Sequence, residues 1–284
     1  SFTRHDYYAP RKGEIHHIGI TALNHDARQD ILIYCQQEMS GTLRWYDITD
    51  PRNWVYHDIA VDVNKTVKKP ENSNGIHGGF SPRGVGDMNH DGYDDVVMPQ
   101  GWFKNPGKKA GRDWQLVPWP FPIGKYPNLY GLSMRSWVCD LDNDGDNDVV
   151  FTDCDVENSA GYWIENTRKA KLVKLHLLPS PGDPTGSFHS LAVADFDLDG
   201  DPDIFAGEQE DPDKGMKPVG LKERGFFWEN TGTAKKPIFS VRILHTDNPG
   251  WHDVIAGDVD GDGDMDMVSK VWNKDGETYH ADYW

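Results

Sequence analysis

The chain has 284 residues, with 46 acidic side chains against 29 basic ones, so its formal net charge is −17 at pH 7. A field of this sign repels phosphate backbones and anionic lipid surfaces, which argues against nucleic acid and membrane surfaces as partners. No apolar run approaches the roughly 20 residues that membrane insertion needs, and 29 glycines with 18 prolines favour turn-rich structure over helices.

An internal repeat organises the chain. The first copy, residues 19–33, is degenerate, because Ala22 stands at its first Asp position and Ala27 at its Gly position. Four complete copies follow, each an apolar strand, the pattern Asp-x-Asp/Asn-x-Asp-Gly-x-x-Asp and a second apolar strand: residues 84–98, 137–151, 192–206 and 255–269. The spacing of 53 to 65 residues between first positions is typical of one four-stranded propeller blade per repeat.

Two more strands are predicted in most repeats. An aromatic third strand lies at residues 43–47, 101–105, 161–166, 225–230 and 280–284. A short fourth strand follows at residues 54–60, 114–119, 172–178 and 239–245, whereas the last repeat stops after its third strand. Residues 2–9 resemble residues 54–60, so we expect the N-terminal strand to complete the last blade, which leaves no open sheet edge.

The sequence therefore predicts an all-β fold, a five-bladed β-propeller of four-stranded antiparallel blades closed by N-terminal strand pairing in the last blade. Residues 1–284 form one domain, with blades at about 14–60, 77–119, 130–178, 187–246, and 250–284 together with 1–10. The alternative is that the chain is a fragment of a longer, seven-bladed array.

The Asp-rich pattern is a candidate cation site. Carboxylates at its positions 1, 3, 5 and 9 surround one point, and the Gly at position 6 allows a sharp turn. A hard cation takes six to eight oxygen ligands at about 2.4 Å, and without one the carboxylates would repel each other. A solvated acidic turn is common for a single copy, but four copies in register favour a cation.

These loops resemble the calcium loops of FG-GAP/VCBS-repeat propellers, which also occur in integrin α-subunits. The resemblance covers essentially the whole chain and implies about four structural Ca²⁺ ions. The implied ligands are Asp87, Asn89, Asp91 and Asp95; Asp140, Asp142, Asp144 and Asp148; Asp195, Asp197, Asp199 and Asp203; and Asp258, Asp260, Asp262 and Asp266. Blade 1 keeps only Asn24, Asp26 and Asp30. Such loops suit a calcium-rich medium, so we expect a secreted or periplasmic protein.

The opposite face of the ring carries a second candidate site. Six residues before the first Asp position stand His16, Ser81, Met134, His189 and His252, and blades 4, 5 and 1 are neighbours in a closed ring. We therefore expect His16, His189 and His252 to converge near the axis, with Glu208 or Asp153 nearest among carboxylates. Such imidazoles suit Zn²⁺ or another divalent metal, or serve as general bases without one. A polar rim with satisfied hydrogen bonds is the alternative.

Two classes of function fit this arrangement. The loops resemble those of propellers in rhamnogalacturonan-type polysaccharide lyases and aldos-2-ulose dehydratase, which implies β-elimination on an oligo- or polysaccharide. Arg135, Lys270 or a metal would then stabilise the anion, and His77 or His17 would act as base. Candidate substrate contacts are Arg83, Asp153, Glu208, Glu210 and Trp272, with Trp102 and Trp251 as further stacking surfaces.

The alternative is a non-catalytic, lectin-like propeller that binds carbohydrate or protein. A lectin normally repeats its pockets blade by blade, whereas the rim residues here differ at nearly every blade, which favours one catalytic site. The sequence leaves open the identity of the sugar, the oligomeric state and the pairing of Cys139 with Cys154.

Overall fold

The computed structural model describes residues 14–36, 41–63, 75–124, 131–167, 169–209, 218, 220–233, 235–246, 250–271 and 281–284. Within these ranges the side chains of Glu14, His16, Gln36 and Lys109 are not described. Regular structure in these ranges is β-strand apart from one 3₁₀ turn at Gly107–Lys109. No helix in the described part of the chain is long and apolar enough to cross a membrane.

The strands form five blades, each an antiparallel meander. Blade 1 consists of β1 (Glu14–Thr21), β2 (Asp30–Gln36), β3 (Thr42–Asp47) and β4 (Val55–Val61). The sheet of blade 2 consists of β6 (Val85–Gly86), β7 (Asp95–Met98), β8 (Gly101–Lys104) and β9 (Gln115–Pro118), and β5 (Ile76–Arg83) directly precedes it in the chain. Blade 3 consists of β10 (Leu132–Cys139), β11 (Asp148–Asp153), β12 (Gly161–Thr167) and β13 (Leu172–Leu177).

Blade 4 consists of β14 (Phe188–Ala194), β15 (Asp203–Glu208), β16 (Arg224–Asn230) and β17 (Phe239–Thr246). Blade 5 has three described strands, β18 (Asp253–Gly257), β19 (Asp266–Lys270) and β20 (Ala281–Tyr283). The predicted all-β, five-bladed propeller is confirmed. The predicted fourth strand of blade 5, residues 2–9, lies outside the described residues.

The innermost strand of blade 2 departs from the predicted continuous strand. It is split at Gly84 into β5 and β6, and β5 pairs in parallel with β10 of blade 3. A Cβ at Gly84 would lie 2.2 Å from Ser136 Oγ and 2.7 Å from Phe80 Cα, so only glycine fits this close approach. The split carries the start of β5 against blade 3.

A buried Asp fastens each complete repeat. In blades 2 to 4 the ninth residue of the pattern accepts one backbone N–H from within its own loop and one from the Asn that ends the third strand. In blade 5, Asp266 accepts the Val259 N–H and the Tyr283 hydroxyl instead. In blade 3, Asp148 accepts from Leu141 at 3.0 Å and from Asn166 at 2.7 Å. Blades 2 and 4 repeat the arrangement with Asp95 and Asn105, and with Asp203 and Asn230.

Two of these Asn residues also join neighbouring blades. The Asn105 side chain donates to the Leu23 carbonyl of blade 1 at 2.9 Å, and the Asn166 side chain donates to the Met88 carbonyl of blade 2 at 2.9 Å. The Asn at the end of the aromatic strand of blades 2, 3 and 4 is visible in the sequence as Lys-Asn or Glu-Asn. Its function as a clamp between blades becomes apparent only when the blades are seen side by side.

Apolar clusters fill the seams between blades. They join blade 1 to 2, 2 to 3, 3 to 4 and 4 to 5. Trp102 and Trp251 belong to the second and fourth clusters and are 4% and 0% exposed, so the expectation that they stack on sugar rings is wrong. Their large side chains contribute instead to the packing of the seams.

The three cysteines are free thiols. Cys139 lies opposite Asp148 at one end of the β10–β11 hairpin, whereas the Cys154 N–H bonds to Ser133 at the other end. This is about six residues along the strand, or roughly 20 Å, which is far beyond disulfide reach.

Candidate functional site

The Asp-rich loops bring carboxylate oxygens together in three blades. Oxygens from three Asp residues of each loop lie within 4.8 Å of one another: Asp140, Asp142 and Asp148 in blade 3, Asp195, Asp197 and Asp199 in blade 4, and Asp258, Asp260 and Asp262 in blade 5. The Gly at position 6 takes a positive φ in every complete copy, 89° to 100° at Gly92, Gly145, Gly200 and Gly263. The sharp turn predicted from the sequence is therefore present.

Blade 2 has a related loop. Asp87 accepts the N–H groups of Asp91 and Gly92, at 3.1 and 2.7 Å. Asn89 donates to the ninth residue, Asp95, at 3.3 Å, and Lys104 lies 3.4 Å from Asp91. The backbone thus folds as in the other blades, with Asn89 in place of one carboxylate.

Burial makes charge on these carboxylates costly. It raises the pKa of Asp95 and Asp148 to about 8 and that of Asp142 and Asp203 to about 6, and neighbouring Asp residues add to the increase. Carboxylate oxygens are hard donors, and when they are crowded with little positive charge around them they form a site of the kind that binds Ca²⁺. The sixteen residues implied by the family resemblance would hold it, and the ion would supply the counter-charge that fixes each hairpin.

Blade 1 stabilises its degenerate loop by other contacts. Asp26 accepts a hydrogen bond from Thr49, Asn24 donates to Asp47 at 3.5 Å, and Arg28 donates to the Thr49 carbonyl at 2.7 Å. Arg28 stands at the seventh position of the pattern, so a side-chain cation lies close to the residual carboxylates. Part of the negative charge of this degenerate loop is thus balanced by a side chain of the loop itself.

On the opposite face, a β-bulge presents His189. The pairing of β14 with β15 shifts register between Phe188 and Ser190, and the pairing of β1 with β2 shifts between Ile15 and His17. His189 and residue 16 are therefore the extra residues of equivalent bulges, a feature that redirects side chains near functional sites. The expected equivalence of positions 16 and 189 holds for the backbone, and the His16 side chain lies outside the described residues.

His189 and His252 meet as expected. Their ring centroids are 3.8 Å apart, and His189 Nδ1 lies 2.8 Å from the His252 carbonyl oxygen. Arg135 donates from Nε to the His189 carbonyl at 2.7 Å, and its Nη2 lies 2.8 Å from His189 Nδ1. One Nδ1 cannot donate to a carbonyl and accept from a guanidinium at once, so His189 has two competing tautomers.

His189 is a neutral imidazole in this setting. Burial lowers its pKa well below the usual range, and the charges of Arg135 and His252 lower it further. The same charges make protonation of His189 unfavourable, so this imidazole is better suited to hydrogen bonding than to service as a general base.

Asp253 holds the cations of this cluster in place. Its carboxylate lies 3.1 Å from His252, 3.1 Å from Lys270 and 3.6 Å from Arg135. Burial by itself would raise the pKa of Asp253, but the hydrogen bond from His252 and the charge of Arg135 outweigh it and hold that pKa well below its usual range. Asp253 is therefore a permanent anion among three donors, and it was absent from the predicted site.

Asp155 connects the other members of the cluster. It is buried with φ of 55°, accepts a hydrogen bond from Ser133, and lies 3.6 Å from His77 and 3.8 Å from His189. Asp155 lies in the turn after β11, among the rim residues that follow the second strand in the sequence, and the fold shows that it reaches the imidazoles in place of the expected Asp153. We call His77, Arg135, Asp155, His189, His252, Asp253 and Lys270 the funnel cluster.

The remaining predicted residues lie elsewhere. Glu208 is fully buried in a two-point ion pair with Arg224, at 2.6 and 2.9 Å. Asp153 accepts from the Ala160 N–H and the Tyr162 hydroxyl, both at 3.0 Å. The carboxylates that contact the two imidazoles in the described residues are thus Asp253 and Asp155, in place of the expected Glu208 or Asp153.

Arg83 and His17 also have contacts outside the funnel cluster. Arg83 lies over the Trp137 ring, 5.5 Å from its centroid, and His17 packs edge-on against Phe80 in the seam between blades 1 and 2. Glu210 and Trp272 lie outside the described residues.

A transition metal fits the funnel cluster poorly. Donor atoms of His189, His252 and Asp253 do lie within 4.8 Å of one another. Arg135 and Lys270, however, already place two positive charges on those donors, and a divalent ion there would have to displace them. The arrangement suits proton transfer and an anionic ligand better than a metal.

Comparison with known proteins supports the repeat. The family model described as FG-GAP-like repeat matches residues 140–206, under a quarter of the chain. No curated protein matches. Among solved structures, the endo-arabinase from Bacteroides thetaiotaomicron VPI-5482 aligns over 96% of this chain and 93% of its own, with 11% sequence identity and a TM-score of 0.41. That level of likeness says nothing about activity. The stretch from the Asp loop of blade 3 through β15 is thus an FG-GAP-like repeat, as the sequence predicted.

Proposed function

We propose that the protein is a carbohydrate-active propeller that catalyses β-elimination on a sugar with a carboxylate or carbonyl beside the reacting carbon. One observation carries the proposal: histidines from blades 2, 4 and 5 meet two cations and two carboxylates in a single cluster. Blades 2 to 5 contribute different residue types to this cluster, so it has the asymmetry of a catalytic site. The likeness of the loops to those of polysaccharide lyases gives the substrate class.

His77 is the best placed base. Asp155 lies 3.6 Å from its Nε2 and can orient the ring, and the His77 side chain is 17% exposed, against 9% for His189. Neutral His77 would take the proton on the carbon next to the carboxylate. The electron pair left behind forms the C=C bond, the C–O bond to the leaving sugar breaks, and the leaving oxygen takes up a proton from water.

The cations would stabilise the developing negative charge. Lys270 is about half exposed and can contact the substrate carboxylate directly. Arg135 is buried beside His189 and supports the same charge through the low-dielectric interior. Asp253 keeps both cations in position.

Calcium has a structural function in this proposal. In blade 4 the loop begins at Asp195, at the far end of β14 from His189. Six residues of strand separate them by roughly 20 Å, too far for the ion to contact a substrate. We place about four Ca²⁺ ions in the loops of blades 2 to 5, and a secreted or periplasmic location supplies that calcium.

Incubation with polygalacturonate and rhamnogalacturonan, followed by the ultraviolet absorbance of the unsaturated product, tests the proposal. His77→Ala should abolish product formation. His176→Ala is the matched control, since His176 stacks on Trp163 in the outer part of blade 3 and should leave the rate unchanged. Binding without product would replace the enzyme with the lectin-like alternative, and absence of both would refute the substrate class.

A further inference from the structure

A cavity lies between blades 3 and 4, on the face of the ring that carries the funnel cluster. Its volume is about 320 Å³, and it is lined by residues 158–161, 177–181 and 183, together with Phe188 and Trp228. Small-molecule sites typically measure about 300–1,000 Å³, so this one is the size for a single ring. We call it the side cavity.

The seam at the side cavity is filled by a smaller side chain than the next seam. Seven residues before the first Asp position, blade 5 has Trp251, whose ring would lie 2.6 Å from a Cβ at Gly225 of blade 4. At the equivalent positions, blade 4 has Phe188 and blade 3 has Gly161, and both line the side cavity. The cavity is therefore a feature of this particular seam and not of the repeat.

Hydrogen bonds hold the outer wall of the side cavity in place. Arg224 donates to the carbonyls of Pro181, Gly182 and Pro184 at 3.1 to 3.3 Å. The buried carboxylate of Glu208 fixes the same guanidinium. The wall thus has a defined shape before a ligand arrives, which lowers the entropic cost of binding.

The lining favours an uncharged ligand that carries hydroxyl groups. The described lining residues include one carboxylate, Asp183, and neither Lys nor Arg. Asp183 is exposed and accepts a hydrogen bond from Ser180 Oγ at 3.3 Å, so both side chains can bond to further hydroxyl groups. Leu177, which is 69% exposed, offers an apolar surface to the C–H face of a sugar ring. An acidic sugar, by contrast, would be repelled by Asp183.

The side cavity is close to the funnel cluster. Phe188 directly precedes His189, and Asn158 follows Asp155 by three residues. Three residues of extended chain span at most about 11 Å. A ligand of a few sugar units can therefore reach both sites.

We propose that the side cavity binds a neutral sugar residue of the same polysaccharide chain whose acidic residue contacts the funnel cluster. The inference rests on the proposed function for the identity of that chain. It adds that the substrate carries neutral as well as acidic sugars, in its backbone or on a branch.

Calorimetric titration of the full chain with neutral tetrasaccharides tests the proposal, and galactotetraose, arabinotetraose and cellotetraose are the probes. At least one should bind, and Asp183→Ala should weaken that binding about tenfold, the effect of losing hydrogen bonds to a charged group. Asp113→Ala is the matched control, because Asp113 is an exposed carboxylate in the outer part of blade 2. Leu177→Ala should weaken binding about threefold, and Leu175→Ala, on the same strand but outside the lining, should leave it unchanged.

The outcomes separate this inference from the proposed function. If none of the three tetrasaccharides binds, or if Asp183→Ala leaves binding unchanged, the side cavity is overturned even where unsaturated product forms. Binding that depends on Asp183 and Leu177 supports the side cavity even where no product forms. Where product forms, Asp183→Ala should raise KM at unchanged kcat, because it removes binding that the ground and transition states share. An unchanged KM would overturn the placement of both sugars on one chain.

Discussion

The clamp between blades offers the sharpest test of the fold. Asn166 is fully buried, and its side chain donates to the carbonyls of Met88 and Asn147 at 2.9 and 2.8 Å. It also accepts the Ala170 N–H at 2.8 Å. The variant Asn166→Ala removes all three bonds and leaves three backbone groups without this partner, of which the Met88 carbonyl is buried and the other two are partly buried.

The expected loss follows from those three groups. Each buried group left unpaired costs about 1–3 kcal/mol, of which local rearrangement and water recover a part, so we expect the free energy of unfolding to fall by about 3–5 kcal/mol. For a chain of this size that corresponds to roughly 6–15 °C in Tm.

Blade 4 provides a matched control. Asn230 occupies the same position, but its Nδ2 has no hydrogen-bond partner among the described residues, and its Oδ1 bonds to Gly232 and Ile238 are longer, at 3.2 Å. Asn230→Ala should therefore cost less than half as much. Urea unfolding at fixed calcium concentration measures both variants. Equal losses, or no loss for Asn166→Ala, would refute the idea that the clamp joins blades.

Three further predictions concern the ions and the buried charges. Excess EDTA should lower the Tm, because saturating Ca²⁺ adds about 2.7 kcal/mol to the free energy of unfolding per site at 100 times its Kd. An unchanged melting curve would refute the assignment of calcium to the loops. Because the folded-state pKa of His189 lies below its unfolded value, its neutral form favours the fold, and that stability is lost as pH falls below about 6.5, at roughly 1.4 kcal/mol per unit. The variant His189→Gln should lack that loss, and parallel pH profiles of unfolding for the two proteins would contradict it. Glu208→Gln should destabilise the fold by about 3 kcal/mol, because it leaves Arg224 without its buried charged partner. A variant that folds stably but binds ligand poorly would instead assign Glu208 to the binding site.

The sequence alone determined the repeat and hence the blades. Apolar alternation, Gly at the sixth loop position and the return of the pattern at regular spacing are local properties, and each appears in the structure where it was expected. Local spacing also placed His189 and His252 at equivalent ends of adjacent inner strands, which is why their stacking could be anticipated.

Tertiary structure decided which side chains complete the funnel cluster. Asp155 reaches His77 and His189 because a turn with positive φ directs it inward, whereas Asp153, two residues earlier, is held by Tyr162. Glu208 occupies the expected register but is neutralised by Arg224, which lies sixteen residues away in sequence. These choices depend on turn geometry and on partners from other strands and blades, and neither is encoded in the spacing of one repeat. Burial in the seams likewise removed Trp102 and Trp251 from the surface, because a propeller uses its largest side chains to fill the wedge between blades.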